Sequence, residues 1–180
     1  MHSITSYSIQ YFFLAIGMFL FCTGCDSGEQ KAKAEIWYNE TKATIFKQSD
    51  APLDSTNTVF TKDNTCKSVI PYSKGHKLLK REFVNDRLRN EVYFSKDDQF
   101  EFRREVCENG QASFDGIFYE GKPYGMSTWY YCNGKTKEQG IMLGEERIGT
   151  WIKWDEQGKV LEEKNHGSLD KIDQLPVISK

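Results

Sequence analysis

Proline is scarce, four in 180 residues against fourteen glycines, so the chain has few rigid breaks and many places to turn tightly. Net charge is nearly absent. The 24 Lys and Arg against 26 Asp and Glu leave a formal −2, which excludes the basic footprint of a nucleic-acid-binding protein. The first 25 residues carry no Lys, Arg, Asp or Glu, yet no apolar run reaches the ~20 residues of a membrane-spanning helix. After Cys25 there is no Cys-x-x-Cys, and His76 and His166 stand alone, so no metal site is expected. Gly-x-Ser-x-Gly and a Gly-rich phosphate loop are both missing, and Ser, His and Asp candidates are scattered. The expectation is therefore a non-enzyme without a cofactor.

Aromatic residues, by contrast, make up 14% of the chain, and its glycines fall at regular intervals. Asn109-Gly110, Asn133-Gly134 and Gln157-Gly158 are spaced by 24 positions, and so are Gly116 and Gly140, Ile117 and Ile141, Gly125 and Gly149, and Lys135 and Lys159. A fixed period of this size marks stacked supersecondary units. Asn-Gly between apolar and aromatic residues signals a hairpin, because both residues tolerate the positive φ of a type I′ turn. Two-residue loops at these sites pair Arg104 with Asp115, Phe102 with Ile117, Met126 with Ile141, Trp129 with Glu138, Trp154 with Leu161 and Lys153 with Glu162. Apolar then meets apolar and opposite charges meet. Strand alternation puts Phe102, Val106, Met126, Tyr130, Ile152 and Trp154 on one face, the expected core. Trp129, Tyr131 and Trp151 fall on the other.

A fourth turn at Asn85-Asp86 is in step with the other three. It pairs Phe83 with Leu88, Glu82 with Arg89, Lys80 with Glu91 and Leu79 with Val92. Its faces disagree with those of the later turns, so this hairpin is either flipped or shifted by one residue.

The residues Gly149-Thr150-Trp151-Ile152-Lys153-Trp154-Asp155-Glu156-Gln157-Gly158 and Gly125-Met126-Ser127-Thr128-Trp129-Tyr130-Tyr131-Cys132-Asn133-Gly134 carry a recurrent Gly, aromatic and Asn-Gly spacing. Gly116-Ile117-Phe118-Tyr119-Glu120-Gly121-Lys122-Pro123-Tyr124-Gly125 supplies the second half of the unit. This pattern resembles the MORN-repeat family, in a bacterial branch often labelled as antitoxin repeat proteins, over roughly residues 78–167. Ser127 departs from it, standing where the pattern has Trp. The resemblance implies an all-β antiparallel meander of hairpin repeats.

At the N-terminus, the apolar run 9–21 is followed by Cys22-Thr23-Gly24-Cys25. A short apolar segment ending in small residues reads as a secretory signal. Its ending resembles the lipobox of bacterial lipoproteins, which implies cleavage before Cys25 and lipidation of Cys25. The expected organisation is a cleaved signal helix (1–24), a tether (25–34), short strands and loops (35–77), the repeat sheet (78–167) and a polar tail (168–180). Within 35–77, Ile36-Trp37-Tyr38 and Thr44-Ile45-Phe46 read as strands around a turn. Helix beyond the signal is expected to be scarce, since no stretch shows sustained apolar residues at helical spacing.

Trp129, Tyr131 and Trp151 are the candidate ligand-binding residues, forming either an exposed stacking patch or a second buried face. Cys107 is equivalent to Tyr131 by counting, so it and Cys132 point to opposite faces and are not expected to pair. Cys66 pairs with either, leaving one thiol free. Together these readings give a protein of the bacterial cell envelope, lipid-anchored at the outer membrane or at the periplasmic face of the inner membrane. It binds or scaffolds an envelope protein or glycan through an aromatic face. The alternatives are an envelope enzyme with a site in residues 35–75, or a purely structural envelope protein.

Overall fold

A computed structural model of the chain describes residues 25–62 and 65–179; the expected signal segment lies outside them. In place of the expected tether and first hairpin, residues 25–49 form one helix, α1 (Cys25–Ser49). Its first half is rich in good helix formers, from Glu29 to Glu35. The i,i+4 pairs Lys31–Glu35 at 3.9 Å and Glu29–Lys33 at 3.7 Å lie on its outer side. The inner stripe is Ala34, Tyr38, Thr41 and Ile45, at helical spacing, with Ala34, Thr41 and Ile45 buried. A threonine and a small alanine in that stripe hide its period from a hydropathy count. The helix ends where the Ser49 hydroxyl donates to the carbonyl of Phe46, just before Ala51-Pro52.

The remainder is one antiparallel sheet, as expected from the hairpin pattern. Its strands follow in chain order as β1 (Ser55–Phe60), β2 (Cys66–Ser73), β3 (His76–Lys77), β4 (Leu79–Val84), β5 (Arg87–Phe94) and β6 (Phe100–Val106). They continue as β7 (Ala112–Tyr119), β8 (Lys122–Tyr130), β9 (Thr136–Leu143), β10 (Glu146–Trp154) and β11 (Val160–Asn165). Each strand pairs with the next along the meander, except that the two-residue β3 folds back on β2 and β4 also pairs with β2.

Register agrees with the sequence pairing through the middle of the sheet. Arg104 faces Asp115, Phe102 faces Ile117, Met126 faces Ile141, Trp129 faces Glu138 and Lys153 faces Glu162. Near the turns it does not. Trp154 faces Val160 instead of Leu161, because a bulge follows Lys153. Glu82 faces Asn90, Lys80 faces Val92 and Leu79 faces Tyr93, because a bulge at Glu82/Phe83 shifts the first hairpin by one residue.

Turn geometry explains the slip at Trp154 but not that of the first hairpin, whose bulge lies beyond an ordinary two-residue loop. Asn85 and Asp86 both take positive φ, 49° and 60°, as a type I′ loop requires. At the next three turns only the glycine does, with φ of 86°, 84° and 91° at Gly110, Gly134 and Gly158. Cys107 N–H donates to Gln111 O, Tyr131 N–H to Lys135 O, and Asp155 N–H to Lys159 O, so each loop holds three residues and ends on a left-handed glycine. The extra residue is absorbed as a bulge at Glu105/Val106, Trp129/Tyr130 and Lys153/Trp154.

α1 lies across one face of the sheet. Its Ile45 packs with Phe100, Phe102 and Ile117, and its Ala34 with Met126, Ile141 and Ile148. The C-terminal segment joins this layer instead of trailing as a polar tail. A 3₁₀ turn (Leu169–Gln174) buries Ile172 in the Ala34 cluster, and Trp37 Nε1 donates to Pro176 O at 2.7 Å.

Candidate functional site

The face opposite α1 carries two adjoining surfaces. Alternation from the observed register places Phe114, Phe118, Trp129 and Trp151 there. They form a row of rings. Phe118 meets Phe114 at 6.2 Å between centroids, Phe114 meets Trp129 at 4.9 Å, Trp129 meets Trp151 at 5.8 Å, and Trp151 meets His166 at 6.4 Å. Tilted and edge-on contacts of this kind suit the ring quadrupoles.

The row is not uniformly open. Trp151 is only 3% exposed. Its indole lies flat over Gly140, where a Cβ would overlap the ring, its Nε1 donates to Ile141 O at 3.2 Å, and the Arg147 guanidinium covers it at 4.0 Å. One hairpin earlier, Ser127 stands where the pattern has Trp. There the Phe114 ring leans over Gly116 instead, and Ser127 Oγ is buried with no hydrogen-bond partner among the described residues. Trp129 is half-buried between these two positions.

Beyond Phe118 the same face opens into a groove of about 580 Å³, lined by Phe94, Phe114 and Phe118 with Lys77, Lys80, Glu82, Glu101 and Arg103 among the polar residues. Its charges are paired. Glu101 meets Arg103 at 2.6 Å, and Arg103 stacks over Phe118 at 3.9 Å. Lys80 meets Glu82 at 2.6 Å, which also accepts from Asn90 Nδ2 at 2.9 Å. The Lys80 hydrogen bond, then that of Asn90, holds the Glu82 carboxyl below its usual range. Lys77 sits over Phe94 at 4.6 Å. Rings alternating with fixed donors and acceptors can stack on a flat apolar ligand surface and hydrogen-bond its polar edge.

The sequence candidates thus separate. Trp129 and Trp151 come together. Tyr131 lies at the turn edge, where its hydroxyl donates to Trp154 O at 2.8 Å. Cys25 is the first residue of α1. The groove residues Phe94, Phe118 and Arg103 are not among the sequence candidates, and nothing in the pattern marks this face as concave.

The covered face holds a buried polar cluster that sequence reading reached only in part, through the pairing of Arg104 with Asp115. Tyr38 from α1 donates to Asp115 Oδ1 at 3.0 Å, and Tyr130 donates to Oδ2 at 3.4 Å. Arg104 approaches the same carboxylate at 3.9 Å, and the Lys42 ammonium lies 4.5 Å over Phe102. Burial, then the Asp115 charge, pushes the Tyr38 phenol far up, and burial pushes Lys42 down. Through the Tyr38–Asp115 hydrogen bond this cluster joins the helix to the sheet, while Arg104 Nε is buried with no hydrogen-bond partner among the described residues.

Cys107 and Cys132 form a disulfide, against expectation, and Cys66 is free. Both bridged residues lie in hairpin loops, outside the strands, where pleat alternation no longer fixes direction. The loops stack along one end of the strands, and Asn109 Nδ2 donates to Cys132 O at 2.6 Å, bringing the two loops together there. Among the described residues no group of His, Cys, Asp and Glu could hold a metal, and no helix is long and apolar enough to cross a membrane.

No family model and no curated protein matches the chain. A mutant of S. aureus TarM, solved with Fondaparinux, alpha-GlcNAc-glycerol and UDP, is similar over 68% of this chain and 27% of its own, at 12% identity and a TM-score of 0.26. The chain spans about a quarter of that structure's length.

Proposed function

We propose that this protein is a lipid-anchored binding or scaffolding module of the bacterial cell envelope, holding a partner protein or glycan on the helix-free face of its sheet. The observation that carries the reading is the asymmetry of the two faces. One is largely covered by α1 and the C-terminal segment, with a smaller opening of about 250 Å³ beside Met126 and Leu169; the other leaves the half-buried Trp129 and Phe118 beside an open groove of about 580 Å³. Trp, Phe and Arg side chains at the centre of a patch, here Trp129, Phe118 and Arg103, are enriched in recognition surfaces.

The proposed unit is a 24-residue MORN-like hairpin. Its support is the recurrence of one turn: bulges after residues 105, 129 and 153, and loop glycines at 110, 134 and 158. Neighbouring loops are joined alike, Asn109 to Cys132 O and Asn133 to Glu156 O. The proposed address rests on the run 9–21 ending at Thr23-Gly24-Cys25, and a disulfide suits an oxidising compartment. Cys25→Ala is expected to abolish lipidation; a product still anchored in the membrane would refute that part.

The binding reading is tested by pull-down of the tagged full chain from detergent-solubilised envelope. The expected result is a partner retained by the parent and lost on Trp129→Ala with the fold intact. Equal capture by that variant would refute the reading.

A further inference from the structure

The sheet has two free edges among the described residues, and they differ. β11 (VLEEKN) carries Glu162, Glu163 and Lys164 along its length, the charged blunting that discourages edge pairing. β1 (STNTVF) has no charge and no proline over six residues, all of them exposed, with Val59 at 53% and Phe60 at 55%. Its inner side is paired with β2 from Ser55 to Phe60. Thr61 N–H donates to Cys66 O, and the antiparallel alternation from that bond leaves the N–H and C=O of Thr56, Thr58 and Phe60 directed outward.

We infer that β1 is a dimerisation edge, pairing antiparallel with β1 of a second copy about a two-fold axis at Thr58. The occupant is argued from self-complementarity. An axis at Thr58 sets Thr58 against its own copy and Thr56 against Phe60, so all three outward pairs of groups are bonded. Asp54 stays outside this seam, its N–H bonding Tyr72 O and its carboxylate accepting from Lys74 N–H and Ser55 Oγ, so the two-fold match is carried by residues 56–60. Thr56 and Phe60 share a face, and β-branched against aromatic is a favourable cross-strand pair. β11 offers no equivalent, since registers centred on Glu162 or Glu163, or between them, place glutamate against glutamate. The result is one continuous sheet across two copies, with each helix-free face left uncovered.

Directly opposed, mutually bonded residues lie ~5.5 Å apart between Cα atoms, within disulfide reach. In the full chain in detergent, in a Cys66→Ser background that gives no disulfide-linked dimer by itself, Thr58→Cys is expected to give one on oxidation. Thr56→Cys alone is expected to give none, its copy lying roughly 14 Å away along the strands, whereas Thr56→Cys with Phe60→Cys crosslinks again. Light scattering is expected to show two chains per particle, and one for Thr58→Lys, which sets two ammonium groups together. One chain per particle for the parent, or equal crosslinking of Thr56→Cys and Thr58→Cys, would overturn the inference. Trp129→Ala is expected to leave the dimer unchanged, so this test is independent of the binding reading.

Discussion

The two faces of the sheet use the same device for opposite ends. On the covered face, Gly125 and Gly149 hold φ of 72° and 62°, and a Cβ at either would collide with Trp37 of α1 or with Leu169 of the C-terminal segment. Glycine there admits a side chain from another layer. On the helix-free face, Gly116 and Gly140 admit Phe114 and Trp151, which belong to the sheet itself. One face is thus closed by imported elements and the other partly closes itself. Only the stretch around Phe118 and Trp129 stays half-exposed, whereas Phe94 and Trp151 are buried.

The largest expected effects test whether self-closure is as strong as coverage. Phe102→Ala, at a fully buried position under α1, is expected to cost about 3–5 kcal/mol in urea unfolding. Trp151→Ala is expected to fall in the same range, since its indole is buried and bonded within the sheet. If Trp151→Ala instead cost less than about 1 kcal/mol, the helix-free face would not be a second core, and Trp151 would again be a candidate for ligand contact. The disulfide clips the turn edge without belonging to either face. Cys107→Ser with Cys132→Ser is expected to cost roughly 3 kcal/mol, for a separation of 25 residues, and to add to the Phe102→Ala loss. Marked non-additivity would mean that the loops and the covered core are coupled.

Where the sequence was legible, the reason was periodic burial. Phe102 opposite Ile117 and Met126 opposite Ile141 could be placed because a strand sheds its alternation directly into the pattern of residues. Cys107 and Cys132 could not, because they sit past the bulges, where an extra loop residue breaks the count. α1 was read as strands because Trp37, Tyr38, Ile45 and Phe46 have high β-propensity, while its buried stripe runs through Ala34 and Thr41. Tertiary packing against the sheet overrides that local preference. The polar look of residues 168–180 concealed Leu169, Ile172 and Leu175, three apolar residues that suffice to dock a short segment. For the candidate site, Trp129 and Trp151 followed from alternation. The groove did not, since concavity arises from how the whole sheet is shaped.

A finer comparison isolates the docking of α1 from backbone strain. Gly125 and Gly121 both have positive φ, 72° and 78°, but only Gly125 faces a ring. Gly121→Ala is expected to cost about 1 kcal/mol, the left-handed penalty alone. Gly125→Ala is expected to cost about 1–3 kcal/mol more, because Trp37 must move and its hydrogen bond to Pro176 O with it. Equal costs in thermal unfolding would mean that Trp37 shifts freely and that α1 is loosely held.

The last effect depends on pH and concerns the charges under the helix. Burial and Asp115 raise the Tyr38 phenol above its ordinary 10.0, so its contribution is fully present below pH 10 and is lost as pH rises beyond it, when only the unfolded chain ionises. Burial lowers Lys42 below 10.5, so the folded state binds that proton less well and gains stability as pH climbs toward 10.5. The two oppose each other near pH 10. Above 10.5 Tyr38 is joined by Tyr130 and Tyr93, whose phenols burial also raises, each at up to about 1.4 kcal/mol per pH unit. Urea midpoints measured from pH 9 to 11.5 are expected to rise slightly and then fall, with Tyr38→Phe flattening the fall and Lys42→Met removing the rise. An unchanged alkaline slope in Tyr38→Phe would mean that solvent reaches the Tyr38–Asp115 contact, and that the covered face is sealed by its apolar residues alone.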